Sequence, residues 1–385
     1  MTLQLKSMFL RGILFLGFMF ALFQWIYSAY AFPENIRHGY NNCTSCHYSP
    51  SGGGLITPYG RELSREISTW GNEGEEVQPL YGAIKLPAWF DYGGDLRAVQ
   101  IYRNNIFLEE AKFIPMQFDL EAMVTYHRKY SLLATLGPVH KVGKGKKEFE
   151  INSRRHYFLI HFSDLLTLRT GKFMPAFGIN VPDHIISTKR GLNLDEGSET
   201  YNAELSYLSS GIGLYLTAIF GWSDREKIDR KHTKGASFNV SYSFLQTFKV
   251  GGNYLHQYRT RWKRDLFGTY AVLGFTKHLY LLSELDLQRS TITPQVSGPK
   301  ISQTGFFVYK KIGWEVVRGL HLFWAYDSAK TDLKIKETRG YSTGPGIIWY
   351  PRPHYEVAVS WLKQKNSIAD KDFSDYLWIM FHAYL

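Results

Sequence analysis

The run Met116-Gln117-Phe118-Asp119-Leu120-Glu121-Ala122-Met123-Val124-Thr125-Tyr126-His127 puts Met116, Phe118, Leu120, Ala122, Val124 and Tyr126 on one side of an extended backbone. Gln117, Asp119, Glu121, Met123, Thr125 and His127 fall on the other. Successive side chains of a strand point to opposite faces, so this period of two marks a strand with one apolar and one mostly polar face. The pattern returns downstream. Leu279, Leu281, Leu285 and Leu287 alternate with Tyr280, Glu284 and Asp286; Tyr355, Val357, Val359 and Trp361 alternate with Glu356, Ala358 and Ser360; and Leu377, Ile379, Phe381, Ala383 and Leu385 close the chain. Counting such runs over residues 88–385 gives about sixteen strands, each near the 9–11 residues that a tilted membrane-spanning strand needs.

Composition agrees. Of 385 residues 16% are aromatic, with 26 Tyr, 26 Phe and 10 Trp, yet the mean hydropathy is slightly polar. In a transmembrane barrel only alternate residues face lipid, and aromatic girdles mark both interfaces, so aromatic content rises while average hydropathy stays low. The expected fold is therefore all-β: a transmembrane antiparallel β-barrel of about sixteen strands, preceded by a small N-terminal α-helical unit. A soluble β-sandwich is the competing architecture. Long strands with apolar outer faces, and a last strand that runs into the C-terminus, favour closure, which removes the sheet edges. Many outer-membrane barrels end in an aromatic residue; this chain ends in Leu385.

The start of the chain reads as an export signal over residues 1–31. Lys6 and Arg11 form a positive region, Ile13 to Tyr27 is an apolar run broken only by Gln24, and Ala29-Tyr30-Ala31 is a small-x-small cleavage site before Phe32. A retained anchor is the alternative, but the run is shorter than the roughly 20 residues of a spanning helix. The formal charge is +11; removing Lys6 and Arg11 with the leader leaves +9, a bias toward anionic partners or an anion-attracting lumen. Nucleic acid is not expected as a partner of an exported, aromatic-rich chain.

Residues 32–87 form a unit of a different kind. Cys43-Thr44-Ser45-Cys46-His47 holds the only two cysteines of the chain. Two thiolates at this spacing can each add to a vinyl group of one haem, and the histidine after the second is placed to ligate the iron, so one covalent haem c on Cys43 and Cys46 with His47 as proximal ligand is expected. A Cys43–Cys46 disulfide is the alternative in an oxidising compartment, while a structural metal site would need further thiols. The turn Ser49-Pro50-Ser51-Gly52-Gly53-Gly54 lets backbone approach a bulky planar group closely. A helix then starts with Thr57 as N-cap and Pro58 at its first position, and Tyr59, Leu63, Ile67 and Trp70 share one face that could cover a haem or pack on the barrel mouth. Gly71–Gly82 reads as a polar linker. Candidates for the distal iron ligand are His38, just upstream, and the inward-phase Met123 and His127; an iron without a protein ligand on its second face is also open. No order of catalytic residues suggests a hydrolase or transferase, and Asp119 and Glu121 read as groups that solvate the lumen.

One stretch breaks the alternation. Residues 173–199 are rich in Pro, Gly and charge, and a loop of this length in a barrel is usually functional. Gly171-Lys172-Phe173-Met174-Pro175-Ala176-Phe177-Gly178 resembles the Gly-x-Phe-x-x-Pro-Phe-Gly stretch of the phosphate-selective porins, with the proline one place earlier. That resemblance implies an inward-folded constriction loop, at which Arg169, Lys172, Lys189 and Arg190 could line a basic narrowing; each could equally sit on a wet rim.

Taken whole, a signal peptide, one Cys-x-x-Cys-His near the mature N-terminus, the segment Leu55-Ile56-Thr57-Pro58-Tyr59-Gly60 and a porin-like remainder resemble the fused monohaem cytochrome–porins of the bacterial outer membrane. The resemblance implies electron transfer across that membrane, with ferrous-iron oxidation its best-known use. A hydrocarbon core of roughly 30 Å exceeds one haem, so a periplasmic cytochrome or other redox protein is expected at one mouth and an extracellular donor or acceptor at the other. The alternative is an anion- or phosphate-selective porin in which the N-terminal unit is a plug or sensor.

Overall fold

A computed structural model of the chain describes residues 33–71, 82, 86–105, 107–143, 146–221, 233–294, 298–367 and 372–385. The leader expected over 1–31 and most of the linker expected over 71–82 lie outside the described residues.

The strands are β1 (Phe90–Asn104), β2 (Glu109–Tyr126), β3 (Tyr130–Gly143), β4 (Lys146–Asn152), β5 (His156–His161), β6 (Leu166–Phe173), β7 (Thr200–Leu208), β8 (Ile212–Gly221) and β9 (Lys234–Phe244). They continue as β10 (Phe248–Arg259), β11 (Trp262–Gly274), β12 (Leu279–Ile292), β13 (Ile301–Val317), β14 (Leu320–Lys330), β15 (Arg339–Trp349), β16 (Tyr355–Lys365) and β17 (Ser374–Tyr384). All pairings are antiparallel and join sequence neighbours except β3–β5 and β1–β17; because β1 pairs with both β2 and β17, the sheet closes. β4 pairs with the Gly137–Gly143 half of β3, whereas the Tyr130–Ala134 half pairs with β5. β4 is thus the return arm of a hairpin that extends past the wall, and the wall itself has sixteen staves, as the strand count predicts.

The two ends of the barrel differ. Where β1 begins and β17 ends, links are tight, such as 127–129, 209–211, 245–247 and 318–319; the opposite end carries 174–199, 331–338 and 366–373. In outer-membrane barrels short turns face the periplasm and longer loops the exterior. The outer face is apolar where alternation demands it: Phe118, Leu120 and Val124 of β2 are exposed, as are Leu216, Phe238, Phe267, Leu287 and Ile379. Exposed Tyr126, Tyr130, Tyr242, Phe244 and Trp314 lie toward the tight-turn end, and Phe113, Tyr258 and Trp361 toward the other, in the manner of interfacial girdles. No helix among the described residues is long and apolar enough to cross a membrane; the strands do so.

Inward side chains are buried along much of the wall. Glu204, Thr217, Ser237, Leu255, Leu266, Tyr280, Glu284 and Asp286 point inward and are at most 1% exposed. Two segments fill the lumen. From the tight-turn end come residues 33–71, with a 3-10 turn Pro33–His38 and helix α1 (Pro58–Ile67). From the other end comes the 174–199 loop. Ile36 of the first packs with Ile179 and Ile186 of the second over Tyr270, Tyr280 and Tyr309, so the fillings from the two ends share one apolar cluster.

Helix α1 starts as the sequence dictates, with Gly60 N–H donating to Thr57 Oγ1 at 3.1 Å and Pro58 at the first position. Its buried face differs from the expected one. Leu63 and Ile67 are buried, but so are Gly60, Arg61 and Ser64, whereas Tyr59 and Trp70 are exposed. The reason is local: a Cβ at Gly60 would stand 2.6 Å from the Cys46 carbonyl, so the helix lies directly on the cysteine turn and rolls Tyr59 outward, where its hydroxyl meets that of Tyr40. Trp70 falls beyond the last helical residue and stacks edge-on against Trp349, centroids 5.4 Å apart.

Candidate functional site

Cys43–Ser45 form a 3-10 turn in which the Cys46 and His47 amides both donate to the Cys43 carbonyl, at 3.2 and 2.9 Å. Beyond it, the Tyr48 amide donates to Leu55 O at 3.2 Å and the Thr57 amide to Cys46 O at 2.8 Å, so residues 46–48 and 55–57 make a small antiparallel clip. Gly52, Gly53 and Gly54 turn the clip, with φ of 82°, 74° and 69°, a region L side chains rarely adopt. Space is tight at the first and third of them as well. A Cβ at Gly52 would lie 3.1 Å from Cys43 Sγ and 3.0 Å from Asn180 Nδ2 of the inward loop; one at Gly54 would lie 3.0 Å from the Arg155 guanidinium carbon and 3.2 Å from the Glu121 carboxylate.

Cys43 and Cys46 are free thiols, and the disulfide alternative is not what the structure contains. Burial pushes Cys46 up to about 12, with the Cys43 charge adding to the effect; Cys43 is raised by burial against the pull of Lys249. His47 Nδ1 lies 3.2 Å from the Gly54 carbonyl, an arrangement that fixes the proton on Nδ1 and leaves the Nε2 lone pair for a metal. Burial lowers its pKa to about 4, so the ring is neutral at neutral pH. Two free thiols at this spacing with an imidazole oriented through Nδ1 suit a covalently held haem. They do not suit a bare metal ion: among the described residues no three His, Cys, Asp or Glu side chains converge on one point.

The wall grips this turn from several sides. Arg169 on β6 donates to Ser49 Oγ (2.9 Å), Ser51 Oγ (3.1 Å) and Glu204 (2.6 Å), its guanidinium 3.8 Å from the Phe173 ring centroid. Tyr215 O–H donates to Pro50 O at 2.8 Å, Lys249 Nζ to Asn41 O at 2.8 Å, and Asn42 Nδ2 to Ser209 O at 2.8 Å. On the other flank Arg61 of α1 pairs with Asp91 at 3.2 Å and reaches Tyr92 O, while Tyr48 O–H donates to Asp91. Upstream, Arg37 pairs with Glu315 at 2.8 Å and donates to Lys277 O. From the loop side, Asn180 Nδ2 donates to Ser51 O at 3.0 Å.

The expected constriction cations do not gather. Arg169 holds the cysteine turn, Lys172 Nζ donates to Ser153 O at 2.8 Å, and Lys189 is buried against Glu284 at 3.1 Å and Phe177 O at 3.3 Å. Arg190 alone of the four is exposed. Three of these cations sit opposite carboxylates, carbonyls or hydroxyls on neighbouring elements, information that a linear reading of charge lacks. Asp119 and Glu121 are likewise buried instead of solvating the lumen, paired with Arg154 (3.4 Å) and Arg155 (2.6 Å). Arg155 escaped the sequence reading; its signal was a second basic residue beside Arg154 at the mouth of an inward face already carrying Glu121.

The three candidates for the second iron ligand lie apart. Met123 is 2% exposed and shares an apolar cluster with Leu55, against which Tyr48, the residue after His47, also packs. His38 ends the 3-10 turn at the tight-turn rim, and burial, with the Arg37 charge next, lowers it to about 3. His127 lies past the end of β2 in a tight turn at φ 51°, exposed, its ring against Tyr126; the turn takes it off the inward face that the alternation extrapolates.

No protein-family model matches the chain, and no curated protein matches it. Solved structures do. The outer membrane channel DcaP of Acinetobacter baumannii superposes with a TM-score of 0.56 at 10% identity over 77% of this chain and 97% of its own. OmpT of Vibrio cholerae gives 0.57 at 10% identity over the same shares. An anion-selective porin from Comamonas acidovorans gives 0.53 at 9% identity over 77% and 99%. The chain has the fold of a porin-type outer-membrane barrel.

Proposed function

We propose that this chain is a monohaem cytochrome–porin of the bacterial outer membrane that carries electrons between an extracellular donor or acceptor and a periplasmic redox protein. The observation that supports it is a barrel whose lumen is filled around Cys43–His47: the wall and the inward loop converge on the cysteine turn, and many inward side chains of the strands are buried. In this reading Cys43 and Cys46 hold one haem c and His47 Nε2 ligates its iron, the group supplying one-electron exchange. Arg169 and Tyr215 fix the turn after His47, and Gly54 O orients the imidazole. Ferrous iron fits as the outer donor by resemblance alone. Because one haem is shorter than a hydrocarbon core of roughly 30 Å, the periplasmic partner must dock at the tight-turn mouth. The expected result of haem staining and redox difference spectroscopy on the outer-membrane fraction is a covalently stained band with a reducible c-type spectrum; a band without haem would sink the reading.

The alternative, an anion- or phosphate-selective porin with residues 32–87 as plug, is favoured by the exposure of Arg190 and by a fold shared with an anion-selective porin. It requires a conducting lumen. Planar-bilayer recordings decide it: sustained anion current that falls when Arg190 is neutralised supports the porin, and silence supports the conduit.

A further inference from the structure

Between the inward loop and the wall of β13–β17 and β1 lies a cavity of about 150 Å³ in the half of the barrel nearer the long loops. Its charged lining is sorted into two poles. On one side Asp327 Oδ1 accepts the Ser187 amide (2.9 Å) and hydroxyl (2.7 Å), and Asp183 Oδ2 accepts the Tyr309 hydroxyl (3.0 Å) with Lys311 Nζ at 3.8 Å. These bonds use one oxygen of each carboxylate. On the other side stand Arg103 and Arg190, both exposed, Arg103 with its guanidinium 5.6 Å from the Tyr376 ring centroid. Among the described residues neither guanidinium has a carboxylate partner, although both line the same cavity as the two aspartates.

We infer that this cavity binds a small amphoteric solute, an α-amino acid or a molecule of the same class, with its carboxylate on Arg103 and Arg190 and its ammonium on Asp183 and Asp327. A simple anion would satisfy the guanidiniums and face two carboxylates; a simple cation would do the reverse; a molecule carrying both charges matches both poles. The volume equals about five waters, enough for glycine or alanine and too little for a peptide. The site is independent of the haem reading, since its residues lie on the loop and the upper wall, away from the cysteine turn.

The test is titration calorimetry on the full-length detergent-solubilised protein with L-alanine, acetate, ethylammonium and inorganic phosphate as probes. L-alanine is expected to bind one to one, and acetate and ethylammonium about tenfold or more weakly. Arg103→Gln and Asp327→Asn are each expected to weaken alanine by about tenfold. Asp327→Asn also loosens the loop at Ser187, so Arg103→Gln, in no ion pair among the described residues and on an exposed side chain, is the decisive variant, with unchanged heat-dependent gel mobility reporting an intact barrel. Acetate or phosphate binding as tightly as alanine, alanine binding indifferent to Arg103→Gln, or no heat from any probe would each overturn the assignment.

Discussion

Arg169 is flanked in sequence by the start of the long loop, and that position marks it as a pore cation. Its guanidinium is instead buried between Glu204, Ser49 and Ser51 and laid on Phe173. Removing one partner of a buried ion pair leaves the other charge unpaired and costs about 3–5 kcal/mol. Arg169→Ala is therefore expected to lower the unfolding free energy by that amount, read as a lower denaturant midpoint at unchanged slope, and to make the 49–54 turn accessible to protease; an unchanged midpoint would mean the pair is not held as described. Cys43, Cys46 and His47 stand out in the sequence by their spacing alone, and the haem assigned to them is a proposal. Their environment was not legible: Arg155 and Asn180 reach the 51–54 turn beside the motif from segments more than a hundred residues away, and no local pattern reports such a meeting. Cys46→Ala is expected to reduce covalent haem staining sharply while far-UV circular dichroism stays that of a β-barrel, and an equal stain would remove the motif from the proposal.

At the scale of elements, two-faced strands were the strongest signal in the sequence, because each strand carries the membrane on one side and the lumen on the other. β4 was harder: its residues alternate like those of any strand, and only the pairing of β3 with both β4 and β5 sets it outside the wall. Helix α1 was found by its cap, but its buried face was misjudged, since glycine packing on backbone leaves no apolar residue to count. Thr57→Ala removes the cap and is expected to cost about 1 kcal/mol, read as faster amide exchange in 59–61. The 3-10 turn at the rim carries a pH dependence. His38 is held near pKa 3 when docked and at its ordinary 6.5 when released, so the released form binds the extra proton. Docking of this segment is fully present above pH 6.5 and weakens as pH falls toward 3. Amide protection factors at 34–38, the intrinsic rate at each pH divided by the measured one, should fall on acidification through that window, and His38→Gln should flatten the response.

At the scale of the molecule, a sixteen-stave barrel has room for an aqueous channel, yet this one is occupied from both ends, by residues 33–71 and by the 174–199 loop, joined through Ile36, Ile179 and Ile186. The sequence revealed both fillings as segments that break the strand pattern; that they meet in the lumen follows from tertiary packing alone. In the proposed reading the filled lumen houses a redox group and is not a solute path. The most direct test of that claim places the purified protein in vesicles loaded with an oxidised soluble c-type cytochrome and adds a membrane-impermeant reductant outside. The account predicts reduction of the trapped cytochrome at a rate abolished by His47→Ala together with Cys43→Ala and Cys46→Ala, with no ion current through the same vesicles. A trapped cytochrome that stays oxidised beside an intact, haem-loaded barrel would contradict it.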